Sequence, residues 1–363
     1  MSTGRASTSG STARVLATGI VLCVLALLSS CGGNGGKTGV SLIIKTQTNP
    51  YFVSMKQAAL AEAKKAGAHL SVAAGNADGD TQTQINAIDT AIARGDKGIL
   101  ITSNGPAVNA ALRQAKDYGL FVIALDTPLD PVKTADITYA TNNFQAGKLI
   151  GGYAAQRLNG QKAVIAMLDL YDDQVVSVDT GRDHGFLTGM GIDPGSKTLN
   201  AKEAKSGQYT GGKGGSYQIA CHQATQGAVD GGRKAMEQCL SRNPDINVVY
   251  TINEPAGEGA YAALKAANHQ DKTFIVSIDG SCQGMSDVEK GIFAADATQY
   301  PGKMAQLGVT AVADVGKGSK PPSLPNGQDY LDTGTKLVTA KPLAGVQSES
   351  VGEGKKACWG TTG

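Results

Sequence analysis

Residues 40–102 read VSLIIKTQTNPYFVSMKQAALAEAKKAGAHLSVAAGNADGDTQTQINAIDTAIARGDKGILIT, and this stretch decides the fold. Val40 to Lys45 is a short β-branched run, too short for a helix and bounded by polar residues, so it reads as a strand. Tyr51 to Ala66 repeats its apolar residues at helical spacing. His69 to Ala73 then reads as a strand, Asp80 to Arg94 as a helix and Gly98 to Thr102 as a third strand. Strands alternating with helices of this length form right-handed βαβ units, which build a parallel sheet covered on both faces.

Working outward, a helix over Ala107 to Tyr118 and a strand over Phe121 to Leu125 continue the same alternation. It resumes after Phe144 with a helix to Leu158, a strand from Ala163 to Leu168 and a helix around Arg182 to Met190. A Gly-, Lys- and Ser-rich interruption covers 195–216. Strands over Tyr217 to Cys221, Val248 to Thr251 and Thr273 to Ile278 alternate with helices over Gly227 to Leu240 and Gly257 to Ala267, which implies a second sheet. Ala294 to Ala297 is a further short strand and Gly302 to Val315 a helix. Ser319 to Gln328 reads as a surface loop, Lys336 to Thr339 as the last strand, and the segment after Ala340 as a tail held by Cys358. At 363 residues the chain suits two domains rather than one.

Composition narrows the function. Hydrophobic residues make up 41% and aromatic ones 5%, so the interior is filled by aliphatic side chains. Thirty-three basic residues nearly cancel 31 acidic ones, which gives no global field for nucleic acid. The 48 glycines are expected mainly in turns and linkers. Arg5 and Arg14 precede an apolar run from Val15 to Leu28, read as an export signal over 1–30 and too short for a comfortable membrane span. Leu28-Ser29-Ser30-Cys31 resembles a bacterial lipobox, which makes Cys31 the acylated mature N-terminus and 31–39 a flexible tether. The expected location is the outer face of the cell membrane, or the periplasm.

Four cysteines then remain, Cys221, Cys239, Cys282 and Cys358, for which sequence permits three pairings in an oxidising exterior. The preferred one joins Cys221 to Cys239 and Cys282 to Cys358. No C-x-x-C spacing occurs and the four His are scattered, so neither metal nor cofactor is expected.

In parallel sheets, ligands collect at the carboxyl ends of strands, where loops converge and helix N-termini offer free N–H groups. The side chains there are Asn49-Pro50-Tyr51-Phe52, Asp126-Thr127, Thr141-Asn142-Asn143, Arg182-Asp183, Asn253-Glu254-Pro255, Asp279-Gly280 and Gln299-Tyr300-Pro301. Carboxylates and guanidinium can each make paired, charge-assisted bonds to neighbouring hydroxyls. Tyr51 and Phe52 can stack on the C–H face of a sugar ring.

These runs, with Ala124-Leu125 before Asp126, Gly147 after Thr141-Asn142-Asn143, Tyr250-Thr251-Ile252 before Asn253 and Ser277-Ile278 before Asp279, resemble type I periplasmic sugar-binding proteins of ABC importers, in the ribose- and fructose-binding branch. The resemblance spans roughly residues 40 to 340. It implies an α/β fold of two doubly wound parallel-sheet lobes joined by three crossovers. The N-terminal lobe would take 40–141 and 300–329, the C-terminal lobe 142–299 and 330–345, and 346–363 would be a tail. It further implies that Asn49 and Asp126 bind hydroxyls from the first lobe and that Tyr51 or Phe52 stacks on the ring. Arg182, Asn253, Asp279 and Gln299 would bind from the second. Ribose binders often carry Arg directly after the first-lobe Asp; here Thr127 stands there, which fits a fructose-like ligand or a polyol at least as well as ribose.

The expected function is capture of a monosaccharide or polyol by a monomeric lipoprotein that delivers it to an ABC permease. The rivals are a sugar-sensing accessory that presents ligand to a membrane receptor, and a carbohydrate-active enzyme. Against the enzyme, there is no G-x-S-x-G, no His-supported nucleophile and no Walker loop.

Overall fold

The computed structural model describes residues 37–324 and 327–361. The expected export signal, Cys31 and most of the expected tether therefore lie outside the described residues. The first lobe opens with strand β1 (Gly39–Ile44), helix α1 (Pro50–Ala66), β2 (His69–Ala74), α2 (Thr81–Arg94), β3 (Gly98–Ile101), α3 (Asn109–Asp117), β4 (Phe121–Leu125) and β5 (Ile137–Ala140). The second contains α4 (Asn143–Leu158), β6 (Ala163–Asp169), α5 (Ser177–Met190), β7 (Ser206–Tyr209), β8 (Gly215–Ala224), α6 (Val229–Arg242) and β9 (Val248–Thr251). It continues through α7 (Glu254–Ala266), β10 (Phe274–Asp279), α8 (Cys282–Lys290) and β11 (Phe293–Thr298). The chain ends with α9 (Pro301–Gly316), β12 (Leu331–Asp332), β13 (Leu337–Val338) and α10 (Val351–Ala357).

Local signals explain where the helices begin and end. Asn49 caps α1 by accepting from the Tyr51 N–H at 2.9 Å, Pro50 starts the first turn, and Gly67 closes the helix in the left-handed region at φ 70°. Asp80 and Gly95 do the same for α2. Each sheet is sandwiched between two apolar layers. In the first lobe one layer gathers Leu42, Ile44, Met55 and Val309, and the other Ile43, Ile88, Ile101 and Leu112.

The sheets run β12-β5-β4-β3-β1-β2 and β13-β11-β10-β9-β6-β8-β7. All pairs are parallel except β11 with β13 and β7 with β8. Three segments cross between the lobes, after β5, after β11 and after β12. The third crossover falls later than the expected boundary. Leu331 and Asp332 pair with Tyr139 and Ala140 in the first sheet, so these residues belong to the N-terminal lobe rather than to a C-terminal segment starting at 330. The crossovers are stitched side by side, since Asp332 Oδ1 accepts from the Asn142 N–H at 3.1 Å and Thr298 Oγ1 from the Lys336 N–H at 3.0 Å.

Not all glycines serve turns. On α4 and α5, Gly147, Gly151, Gly185 and Gly189 lie where the two backbones approach; a Cβ on Gly185 would meet the Phe144 carbonyl oxygen at 2.2 Å and one on Gly147 the Arg182 carbonyl oxygen at 2.2 Å. This close packing fixes α5, the helix that carries Arg182.

The segment after residue 345 is structured where a simple tail was expected. Ser350 and Glu353 form a reciprocal cap at the start of α10. The structure bonds Cys221 to Cys239 and Cys282 to Cys358, the second pair tying the end of α10 to the start of α8. Among the described residues, no helix is long and apolar enough to cross a membrane.

Candidate functional site

The carboxyl ends of both sheets face one gap. At its floor is a cavity of about 40 Å³ lined from the first lobe by Asn49, Tyr51, Phe52 and Asp126, and from the second by Arg182, Asn253, Asp279 and Gln299. Eight of the nine side chains singled out in the sequence therefore converge. Thr127 does not line the cavity; it stands behind Asp126, donating from Oγ1 to the Asp126 carboxylate at 2.8 Å. Lys45, Asp78, Leu170, Val178 and Ile252 complete the wall.

Each polar group is held by its own element. Asp126, directly after β4, sits at φ 65°, in the left-handed region that Asp tolerates better than most residues, and this turns its carboxylate out of the strand direction. Arg182 is buried. Its Nε donates to Asn143 Oδ1 at 2.8 Å and its Nη1 to the Ile252 carbonyl at 2.6 Å, which leaves the guanidinium 3.8 Å from Asp279. Burial pushes the Asp279 carboxyl well up, against the opposing pull of Arg182. Gln299 donates from Nε2 to Asp279 Oδ1 at 2.8 Å, while its Oε1 is buried without a hydrogen-bond partner.

Two asparagines have structural duties in the same wall. Asn253 accepts from the Ala256 N–H with Oδ1 and donates to the Gly227 carbonyl with Nδ2, so both ends of its amide hold its own lobe. Asn49 uses Oδ1 as the α1 cap. Tyr51 and Phe52 are both buried, with ring centroids 5.3 Å apart and edge to face, and both line the cavity while packing into the first-lobe core. Burial drives the Tyr51 hydroxyl well above its usual range, with Asp126 and Asp279 adding to the effect.

Above this floor the gap widens to about 1310 Å³. Its walls include Val53, Gln57, Val229, Glu258 and Trp359. Trp359 reaches the gap from the C-terminal segment: its indole N–H donates to the Asp279 carbonyl at 3.0 Å, and its ring stands edge-on to Tyr51 at 5.3 Å. The backbone beside it joins the second lobe through the Cys282 N–H and the Trp359 carbonyl, at 2.9 Å. The inner cavity thus holds two cations, Lys45 and Arg182, against three carboxyls, Asp78, Asp126 and Asp279. Burial raises Asp78 and Asp279 towards their neutral forms. Such a lining is nearly balanced and rich in directed donors and acceptors.

A sequence model described as a periplasmic binding protein domain matches residues 40–320. The chain belongs to the periplasmic binding protein family. Similar proteins include the ribose import binding protein of Escherichia coli, 26% identical over 303 residues that cover 83% of this chain and 92% of that protein. The D-apiose import binding protein of Paraburkholderia graminis is 27% identical over 297 residues, covering 81% and 85%. Among solved structures, an ABC transporter solute-binding protein from Actinobacillus succinogenes with bound D-allose superposes with a TM-score of 0.69 at 22% identity, covering 84% of this chain and 98% of its own. That likeness concerns the fold.

Among the wall residues of this binding protein that escaped the sequence reading are Lys45, Asp78 and Trp359. Lys45 and Asp78 follow β1 and β2, at the same strand ends that pointed to Asp126, and the rule would have found them if applied to charged residues inside a strand's last step or several residues beyond it. Trp359 lies outside the region of resemblance. The one signal for it was the preferred Cys282–Cys358 pairing, which brings the tail within three residues of Asp279.

Proposed function

We propose that this periplasmic binding protein captures a neutral, hydroxyl-rich monosaccharide or polyol between its lobes and delivers it to an ABC permease, as a monomer anchored by lipid on Cys31. The observation that carries the reading is the single cavity in which Asp126 of one lobe faces Arg182, Asp279 and Gln299 of the other, beside Tyr51 and Phe52. Neither lobe alone supplies enough groups to replace the water around a sugar; together they do, so ligand favours the closed arrangement and closure creates the surface a permease can read. Carboxylate and guanidinium pairs suit adjacent hydroxyls, and the aromatic pair suits the ring's C–H face.

The near balance of charge favours a neutral ligand over a sugar phosphate or an amino acid. Relatives named for ribose and D-apiose import support a small monosaccharide. Thr127 is neutral where ribose binders often carry Arg, and its hydroxyl is committed to Asp126, which keeps fructose-like sugars and polyols in the same class as ribose. The floor cavity of about 40 Å³ has room for only ~3 water molecules, less than a whole monosaccharide needs, so the lobes stand further apart than here both to admit the sugar and to hold it.

A thermal-shift panel of ribose, apiose, allose, fructose, arabinose and myo-inositol tests this. A true ligand at one hundred times its Kd adds about 2.7 kcal/mol, a rise of several degrees in Tm, and is recovered unchanged. A flat response across the panel would remove sugar capture; conversion of the sugar in the same tubes would replace binding with catalysis.

A further inference from the structure

Beside the ligand wall, four side chains from separate elements meet inside the second lobe. Asp169 ends β6, Asp183 follows Arg182 on α5, Glu203 lies in the connection before β7, and His222 is on β8, whose register sets Met167 of β6 beside it. None of the four lines the sugar cavity or its mouth.

The imidazole is clamped at both nitrogens. His222 Nδ1 lies 2.7 Å from Asp169 Oδ2 and Nε2 lies 2.8 Å from Glu203 Oε1. Asp183 has no such engagement; His184 Nε2 lies 3.9 Å from its Oδ1, beyond hydrogen-bond reach, and instead meets the Leu199 carbonyl at 3.1 Å. Asp183 is fully buried, and both of its carboxylate oxygens lack any hydrogen-bond partner, as do Asp169 Oδ1 and Glu203 Oε2. A buried carboxylate with neither oxygen satisfied is costly unless something cationic or protic meets it. One donor atom each from Asp169, Asp183 and His222 falls within 4.8 Å of the others.

We propose that Asp169, Asp183 and His222 bind one divalent transition-metal ion of the Zn²⁺ class, with Glu203 orienting the imidazole. Imidazole nitrogen and carboxylate oxygen are both ligands that Zn²⁺ accepts, and three protein ligands leave a fourth place for water. In this structure both ring nitrogens meet carboxylate oxygens; a bound ion would displace the Nδ1 proton to solvent while Nε2–H stays on Glu203, and the freed Nδ1 lone pair would then face the Asp169–Asp183 side in a carboxylate–histidine–metal arrangement. The charge also matches: three carboxylates against one imidazole leave a buried surplus that a dication offsets, whereas a hard, all-oxygen ion such as Ca²⁺ has no use for His222. His222 is 18% exposed at the side chain, which gives the ion an entry path from solvent. The site would pin β6, β8 and α5 together beneath Arg182, a structural role that does not depend on which ligand occupies the cleft.

The test strips the purified protein with EDTA and titrates ZnCl₂ by calorimetry, with CoCl₂ as a spectroscopic probe. One ion per chain, a raised Tm and a Co²⁺ d–d absorption band are expected. Asp183→Asn is isosteric and has no hydrogen bond to lose, so it should fold; it is expected to weaken uptake at least tenfold and erase the Co²⁺ band. His222→Gln should do the same, and Glu203→Gln should weaken uptake by about 10- to 100-fold while keeping the band. Absence of uptake in the unmodified protein would overturn the proposal. So would uptake that Asp183→Asn and His222→Gln leave unchanged, or a metal-independent gain in Tm from Asp183→Asn, which would mean that a proton serves Asp183 instead.

Discussion

Replacement of Trp359 by Ala should weaken ligand binding although this residue need not touch the ligand. Trp359 belongs to a segment bonded to the second lobe through Cys358 and the Cys282 N–H, yet its ring packs edge-on against Tyr51 of the first lobe at 5.3 Å. That contact exists only with the lobes together. An edge-to-face aromatic pair contributes about 0.5–1.5 kcal/mol beyond its buried area, which changes the closed-to-open ratio by about 2- to 13-fold. Because apparent affinity scales with the population of the competent state when that state is the minor one, Kd should rise by the same factor. Trp359→Phe keeps a ring against Tyr51 and gives up the indole bond to the Asp279 carbonyl, so it should cost less affinity than Ala. Calorimetric titration with the best sugar of the panel measures this directly. An unchanged Kd in Trp359→Ala would show that the tail does not take part in closure. The chain contains a single tryptophan, so its fluorescence should also respond to ligand in the unmodified protein.

The two disulfides should separate by role. Loop lengths of 76 and 18 residues give chain-entropy contributions of about 4.5 kcal/mol for Cys282–Cys358 and about 3 kcal/mol for Cys221–Cys239. The Cys282→Ala/Cys358→Ala pair should lose more Tm in thermal melts and also repeat the affinity loss of Trp359→Ala, whereas Cys221→Ala/Cys239→Ala should leave Kd alone; equal effects on Kd would contradict this. Glu258, at the cleft mouth, is held up to about 7 from 4.5 by burial, with repulsion from Asp287 and Glu254. Between pH 4.5 and 7 the folded state keeps a proton there that the unfolded chain has released, so this group makes stability fall as pH rises through that window and adds no further slope above it. Glu258→Gln should remove that part of the slope and gain on the order of 1 kcal/mol at pH 8, a figure reduced for the partly exposed side chain; parallel Tm profiles for the two proteins from pH 4.5 to 8 would refute it.

The architecture was legible because buried parallel strands are dense in Val, Ile and Leu. β1, β4, β6, β9 and β10 all have that signature, and each lies within a residue or two of its expected position. What escaped notice lacked it. β5 reads Ile-Thr-Tyr-Ala and takes its place from pairing with β4, not from its own apolar pattern. β7 lies inside the Gly- and Ser-rich interruption and exists as an antiparallel edge beside β8. α8 is largely polar and depends on the Ser281 cap and Gly291 for its ends. β12 has two residues, and its pairing with β5 moved the last crossover.

The site was legible for a different reason. A polar side chain directly after an apolar strand must stand at the carboxyl edge of the sheet, and Asp126, Asp279 and Gln299 are fixed there by chain direction alone. The split duties of Asn253 and Asn49 were not legible, because capping and ligand binding ask for the same amide. Nor was the Asp169–Asp183–His222 cluster, whose members lie up to 53 residues apart and share no spacing.

In the proposed mode of binding, one ligand is gripped from both lobes at once. Titrating the best sugar into Asp126→Asn and Asp279→Asn tests it most directly, since Asn tolerates the left-handed backbone at 126 and both changes preserve shape. Loss of a charge-assisted hydrogen bond costs about 1.5–3 kcal/mol, so Asp126→Asn should bind at least tenfold more weakly; at Asp279, which burial pushes towards its neutral form, the cost is that of a neutral hydrogen bond, about 0.5–1.5 kcal/mol or about 2- to 13-fold, and both variants should melt as folded proteins. Full affinity in either variant would place the ligand on one lobe only.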